Sequence, residues 1–108
     1  MINEKIKNIL NDIAPVFYQS TKKKLDKYII FKIYNEQDSM IYDDINLAEK
    51  YYITLTYWCK NPRDLILYKQ IKEILKSNDF TFNGCSDEKD GDYNGKNMDF
   101  IYEELLER

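Results

Sequence analysis

The sequence predicts an α+β fold, of element order α-β-β-α-β-β, with a four-stranded, mainly antiparallel or mixed sheet and two helices packed mainly on one face. Two observations predict this fold. Residues 51–59 alternate with a period of two, which is typical of a half-buried strand. Residues 61–79 then carry the cap, the proline and the apolar spacing of an amphipathic helix. We expect the remaining elements to assemble around this strand and helix.

Length and composition indicate one domain, residues 1–108, with one core. The chain has 108 residues, of which 44% are hydrophobic, so it can bury a core of its own. The net charge of −3 argues against a binder of duplex DNA, which needs a basic surface, and we expect no nucleic-acid contact. No apolar run has the length of a membrane span, so we expect no membrane association. Two cysteines without a secretory signal favour free thiols over a disulfide.

The first predicted helix ends near Ala14, because the residue before Pro15 avoids the α region. Asn3 can cap its start. Its apolar residues fall on one helical face: Ile2, Ile6, Ile9, Leu10 and Ile13. Val16–Tyr18 is expected to pack where the helix ends. The lysine run at residues 22–24 is interpreted as a solvated turn, with an anion contact as the alternative.

The first predicted strand covers residues 28–34, which are rich in β-branched and aromatic side chains. Residues 35–50 are predicted to form a long connection, with Asp38-Ser39 and Asp43-Asp44 as turn formers. The strand at residues 51–59 follows that connection.

The second helix is predicted to begin at Asn61, a good N-cap, with Pro62 in the first helical position. Its inward stripe is Leu67, Ile71, Ile74 and Leu75. A short strand at residues 80–82, a polar loop at residues 84–97 and a last strand at residues 98–103 complete the predicted order.

One acidic segment partly matches a calcium-binding loop. Residues 90–95 carry the oxygen ligands and the glycine of the first half of such a loop. The closing carboxylate would fall at Ile101, which cannot supply it. We therefore interpret the segment as a hairpin loop.

A magnesium nuclease could use Asp43 or Asp44 with Glu49 and Lys50. Glu49 and Lys50 are neighbours, however, and would point to opposite faces of a strand. Without histidine, no Ser-His or Cys-His pair can form. We therefore expect no catalytic residue, no metal, no cofactor and no small-molecule substrate, and we expect that the protein is not an enzyme.

The aromatic residues are the strongest candidates for a protein contact. Tyr28, Tyr34, Tyr52 and Trp58 fall on the sheet face opposite the more hydrophobic set. Either a partner covers them, or the connection at residues 35–50 folds over them. The candidate interface residues are Tyr28, Tyr34, Tyr42, Asp43, Asp44, Tyr52 and Trp58.

Several segments, taken in order along nearly the whole chain, resemble the small tail-completion proteins of long-tailed bacteriophages and prophages, also called tail-terminator or head-to-tail joining proteins. The segments are residues 28–31 (YIIF), Asp43 and Asp44, residues 52–58 (YITLTYW), residues 71–75 (IKEIL), Phe80, a tyrosine-bearing polar loop, and residues 98–100 (MDF). The resemblance is one of pattern and order, since the family has no invariant catalytic signature.

This resemblance implies a structural protein located in the virion tail, and in the bacterial host cytoplasm during assembly. Its subunits would form a homo-hexameric ring on the tail tube, stop tube growth and offer a surface to the head connector. A ring of this kind uses two different patches on each subunit. The alternative from another class is a small acidic, tyrosine-rich inhibitor or immunity-type protein that binds a basic partner.

Overall fold

A computed structural model describes residues 2–19 and 25–106, so the predicted turn at residues 22–24 lies outside the described residues. The elements, in chain order, are α1 (Ile2–Leu10), β1 (Val16–Tyr18), β2 (Lys27–Tyr42), β3 (Ile45–Cys59), a 3-10 helix (Pro62–Leu67), α2 (Tyr68–Ser77), β4 (Thr81–Asp90) and β5 (Tyr93–Leu105). The strands form one sheet in the order β1-β2-β3-β5-β4. β1 runs parallel to β2, and every other pair is antiparallel.

The prediction of a four-stranded sheet in the order α-β-β-α-β-β was wrong, because the described chain forms a five-stranded mixed sheet. The additional strand is β1, which pairs in parallel with Ile29, Ile30 and Phe31 of β2. The Gln19 N–H donates to the Phe31 carbonyl at 2.8 Å, and the Ile29 N–H donates to the Pro15 carbonyl at 2.8 Å. A three-residue strand is too short to show a period of two, so only its pairing with β2 identifies it.

The two predicted loops are also strands. Residues 35–50 continue β2 and begin β3, and only Asp43 and Asp44 remain as the turn between them. Residues 84–97 continue β4 and begin β5, with a turn at Gly91 and Asp92. Backbone ladders hold both hairpins together, and such pairing does not require an alternating apolar pattern.

Both helices pack on the sheet face that carries the core of β3, where Ile53, Leu55 and Tyr57 are fully buried. The helices contribute Ile6 and Leu10 from α1, and Ile71 and Leu75 from α2. Each such fully buried side chain contributes about 1.5–3 kcal/mol of transfer free energy. α1 ends at Leu10 and not near Ala14, and a turn with an Ile13 N–H to Leu10 carbonyl hydrogen bond of 3.0 Å follows it.

The helical segment after β3 begins where the sequence predicts, although its first six residues are 3-10 and not α. The Asn61 side-chain oxygen accepts a hydrogen bond from the Arg63 N–H at 3.0 Å, as an N-cap does. The buried Tyr57 hydroxyl donates to the Asp64 carbonyl at 2.9 Å, which ties the 3-10 turn to the centre of the sheet.

The molecule is elongated, with principal extents of 52 × 24 × 22 Å. Its radius of gyration is 15.1 Å, whereas a compact chain of this length has about 13 Å. The 16-residue β2 accounts for the long axis, because a strand of that length spans roughly 50 Å.

Candidate protein interface

The end of the β2–β3 hairpin projects beyond both helices. We name residues 38–49 the arm. The partly buried residues that border the helix-packed core at this end are Ile33, Tyr51 and Tyr102, and no described residue of the arm belongs to that core, although Ala48 is buried within the sheet. β5 accompanies β3 only as far as the pair Ala48 and Leu105. Beyond that pair, the arm is a two-stranded ribbon that no other described strand extends.

Large apolar side chains are exposed on the arm and beside it: Met40, Ile41, Tyr42 and Ile45, with Leu105 at its base. The exposed fraction reaches 63% for Ile41 and 70% for Tyr42. An isolated two-stranded hairpin is marginally stable in water at best, and clustered exposed apolar side chains mark interaction sites. The arm therefore has the properties of a segment that packs against another surface.

The turn at the tip places two carboxylates at the extreme end of the molecule. Asp43 has φ of 49° and Asp44 has φ of 61°. Positive φ at both central residues of a two-residue hairpin turn is the pattern of type I′. The sequence prediction of a turn at these residues is confirmed, although the turn closes a hairpin and not a loop. The other turn, predicted at Asp38 and Ser39, was wrong, because both residues lie within β2.

Two further carboxylates face each other within the arm. Asp38 pairs directly with Glu49 across the antiparallel strands. The Asn46 side-chain amide donates to Asp38 at 3.0 Å, and the Tyr51 hydroxyl donates to Glu49 at 2.8 Å. Neither contact supplies a positive charge, and like charges in directly opposed positions destabilise a strand pair.

Negative charge continues from the arm to the place where α1 begins. A cleft of about 460 Å³ lies there, lined by Ile2, Asn3, Tyr18, Ile33, Glu36, Tyr51 and Glu104. Burial raises the pKa of the Tyr51 hydroxyl, and the hydrogen bond to Glu49 and the charges of Glu49, Glu104 and Glu36 raise it further. Tyr51 is therefore a neutral donor that holds the Glu49 carboxylate in place at the base of the arm.

The sheet face opposite the helices carries half-buried aromatic residues, and neither of the described helices covers it. We name it the open face; its residues are Tyr28, Ile30, Tyr52, Thr54, Thr56, Trp58 and Asn97. The rings of Tyr28 and Tyr93 meet edge to face at 5.5 Å between centroids, and those of Tyr34 and Tyr52 lie 6.1 Å apart. Burial, with Tyr93 and Asp90 nearby, raises the pKa of Tyr28. These aromatic rings shield one another in part and leave the rest of their surface accessible.

A polar bridge crosses the middle of the open face. The Asn97 side-chain amide donates to the Thr54 and Thr56 hydroxyl oxygens, both at 2.9 Å. A shallow cavity of about 240 Å³ lies beside this bridge, with Gln19, Ile30 and Lys32 among its other lining residues. The centre of the open face is thus a fixed set of hydroxyl and amide groups between two aromatic regions.

The structure separates the seven predicted interface residues into distant groups. Tyr42, Asp43 and Asp44 lie at the arm tip, whereas Tyr28 and Trp58 are a cross-strand pair at the far end of the sheet. The two ends of β3 are roughly 45 Å apart.

Tyr34, at the bulge in β2, and Tyr52 lie between these two groups. Of the two alternatives for covering these aromatic residues, the folding of residues 35–50 over them is wrong, because the backbone of that segment is paired within the β2–β3 hairpin.

The carboxylates considered for a nuclease site do not converge. Asp44, in the turn, is five residue steps from Glu49, or roughly 16 Å along a strand. Glu49 and Lys50 are consecutive strand residues and point to opposite faces.

The half calcium loop is the β4–β5 hairpin, in which Asp90 pairs with Tyr93 around Gly91 and Asp92. Gly91 has φ of 56°, and glycine in that conformation is typical of a tight hairpin turn. The interpretation of this segment as a hairpin is confirmed.

The sequence analysis did not predict that several residues of the arm lie at exposed or paired positions of two strands. Asp38, Ile41, Ile45 and Glu49 were assigned to a long connection, in which side-chain direction is undefined. The available signal was the apolar run at residues 40–42 before the Asp-Asp pair, followed by Ile45, which is the pattern of two strands flanking a two-residue turn.

Within residues 2–19 and 25–106, no three His, Cys, Asp or Glu side chains are grouped so that they could hold a metal ion. Cys59 is buried and Cys85 is exposed, and both are free thiols. None of the helices in the described ranges is long and apolar enough to cross a membrane.

Comparison with known proteins gives a shared fold only. No protein-family model matches the chain, and no curated protein matches it. Chains of solved structures do match, 19 in number. One of them, named "Np_888769.1", superposes with a TM-score of 0.61 at 10% sequence identity, over 99% of this chain and 94% of its own. At that identity the similarity shows the fold and nothing about activity or partners.

Proposed function

We propose that this protein is a structural tail protein of a bacteriophage or prophage, a homo-hexameric ring at the end of the tail tube that stops tube growth and joins the tube to the head connector. The observation that carries the proposal is the arm. It extends a small domain to 52 Å, carries exposed Ile41 and Tyr42 near its tip, and has no covering element among the described residues.

The arm suits a subunit that is completed by its neighbours. A two-stranded ribbon with exposed apolar side chains gains stability when a partner buries it. A ring with rotational symmetry needs two different complementary patches on each subunit, and an arm on one side of a domain can provide one of them. The order of segments that resembles the tail-completion proteins supports the same assignment.

The open face offers a second surface for the tail tube or the head connector. It is broad, carries Tyr52 and Trp58, and lies opposite the helices. Tyrosine and tryptophan supply large contact areas at interfaces because they combine an apolar ring with a polar group. The proposed function needs no catalytic residue and no cofactor, and the protein would lie in the virion tail after assembly in the host cytoplasm.

The test is to measure the mass of the purified protein by light scattering and to image it by negative-stain electron microscopy, alone and with tail-tube protein. We expect rings with a mass of about six chains of 13.1 kDa, and we expect tubes capped by such rings. A strict monomer that ignores tail tubes at all concentrations would contradict the proposal.

A second candidate function has one observation in its favour. The opposed carboxylates of Asp38 and Glu49, with Asp43 and Asp44 at the tip, make the arm acidic, as in an inhibitor or immunity-type protein for a basic nuclease or toxin. This candidate predicts a monomer that forms a one-to-one complex with a basic toxin. The gene neighbourhood separates the two: tail-tube and tape-measure genes for the ring, and a toxin gene for the inhibitor.

A further inference from the structure

We infer that the arm of one copy docks on an exposed lysine row of α2 in the next copy. This inference rests on the self-association in the proposed function and specifies its two surfaces. The lysine row is defined here as Lys69, Lys72 and Lys76, with Ile66 at one end. The inference has three supports, which are charge, apolar exposure and matching dimensions.

The arm lacks cations of its own. Residues 38–49 include Asp38, Asp43, Asp44 and Glu49, and no lysine or arginine. The only ion pair within the described parts of the chain joins Lys96 and Asp87. The opposed carboxylates of Asp38 and Glu49 therefore repel each other in the free subunit, and a cation from a partner would relieve that repulsion.

The lysine row supplies such cations. Lys69, Lys72 and Lys76 are spaced by three and four residues, so they lie on one side of α2. Lys69 and Lys76 are exposed, while the Lys72 ammonium lies 4.1 Å from the centroid of the Phe82 ring. Glu73 lies on the same side, so three lysines and one glutamate leave this surface with a net charge of +2. The row is thus the electrostatic complement of the acidic arm.

The apolar parts of the two surfaces fall at matching distances. On β3 of the arm, Ile45 is half exposed and lies four residues from Glu49, so both side chains point to one face, roughly 13 Å apart along the strand. On the partner surface, Ile66 is 57% exposed and precedes Lys76 by ten residues, which is roughly 15 Å along a helix. Ile45 can therefore pack against Ile66 while Glu49 and its cross-strand partner Asp38 meet the lysine row.

The two patches differ and lie on one chain, so the contact is heterologous. Contacts of this type repeat head to tail and close into a ring when the rotation between copies permits. A second copy is favoured over an unrelated basic protein because the same chain presents the complementary charge and the matching apolar contact.

Two charge-reversal variants test the inference. The arm variant is D38K/E49K, and the lysine-row variant is K69E/K76E, which leaves Lys72 on Phe82. We expect each alone to weaken self-association by at least about tenfold, as expected for close charge pairs at interfaces. Sedimentation velocity at moderate salt measures the association, and circular dichroism checks that each variant folds. The control is K7E/K60E, which matches the charge change of the lysine-row variant at exposed lysines outside both patches, and it should associate as the unchanged chain does.

Mixing the two variants is the decisive measurement. In an alternating assembly, each reversed arm meets a reversed row and each unchanged arm meets an unchanged row, so we expect association to return. Variants that associate as well as the unchanged chain would overturn the inference and leave the ring intact. Variants that fail to associate even when mixed would also overturn it, because the arm would then contact another surface. An unchanged chain that stays monomeric, alone and with tail-tube protein, would overturn both this inference and the proposed function.

Discussion

The indole of Trp58 lies directly on Gly95 of the neighbouring strand β5. The two residues are cross-strand partners, and a Cβ added to Gly95 would come within 2.7 Å of two atoms of the indole ring. The next nearest atom, the Cβ of Glu88, would be 3.2 Å away, so the indole is the main obstacle to a side chain here. Glycine at position 95 therefore allows the single tryptophan of the chain to approach the backbone of β5 closely.

We predict that G95A destabilises the protein by about 1–3 kcal/mol, the usual cost of overpacking. The added methyl group must displace the Trp58 ring, so the fluorescence emission of the folded protein should shift to longer wavelength. Urea unfolding followed by fluorescence measures both effects. S86A, at an exposed position of β4, is the control and should change neither. Unchanged stability and emission in G95A would show that the ring does not rest on Gly95.

We predict that Y57F lowers the free energy of unfolding at neutral pH by about 1 kcal/mol. The variant loses the hydrogen bond from the buried hydroxyl to the Asp64 carbonyl, and an unpaired polar group costs free energy. Chemical denaturation at pH 7 measures the loss. Y52F is the matched control, since the Tyr52 hydroxyl makes only an exposed contact of 3.3 Å with Gln37 and should lose less. Equal losses of unfolding free energy in Y57F and Y52F would contradict a stabilising hydrogen bond between the Tyr57 hydroxyl and the Asp64 carbonyl.

The same tyrosine predicts a loss of stability in alkaline solution. Burial raises the pKa of Tyr57 above its ordinary value of 10.0, and the nearby Cys59 and Asp64 add to the rise. The folded state therefore holds this proton more tightly than the unfolded state. The contribution of the Tyr57 hydroxyl to the free energy of unfolding is complete below pH 10.0 and is lost as the pH rises above that value. We expect the free energy of unfolding to fall more steeply above that pH in the unchanged chain than in Y57F. If the free energy of unfolding falls equally steeply with pH in the unchanged chain and in Y57F, the prediction is wrong.

The two thiols should differ in reactivity. Cys85 is exposed on β4, whereas Cys59 is buried and its burial raises the pKa of the thiol, so little thiolate forms there. With a disulfide-exchange reagent at mildly alkaline pH, we expect one thiol per folded chain to react quickly and the second only on unfolding. C85S should remove the fast phase and C59S should retain it. Two fast thiols in the folded chain would contradict the buried position of Cys59.

The arm turn should tolerate glycine better than alanine. Asp43 and Asp44 both have positive φ, and type I′ turns prefer Asn-Gly at these positions. We expect D43N/D44G to slow amide hydrogen exchange in the arm by roughly fivefold, because relief of left-handed strain is worth about 1 kcal/mol. D43N/D44A, the matched control, should exchange faster than the unchanged chain, since alanine disfavours positive φ. The reverse order would exclude a type I′ turn.

Local periodicity and capping are sufficient to predict the strand at residues 51–59, the capped helix that follows it and the inward residues of both. The acidic pair Asp43-Asp44 likewise marks a turn, whereas the turn predicted at Asp38 and Ser39 is part of β2. By contrast, strand pairing in the folded chain is needed to show that residues 35–50 and 84–97 are mostly strand, that Val16–Tyr18 is a fifth strand, and that Asp38 faces Glu49. Those segments are mostly polar or very short, and backbone hydrogen bonds between paired strands hold them. Apart from the apolar residues that flank Asp43 and Asp44, no local pattern marks them as strands. The arm is defined by that strand pairing.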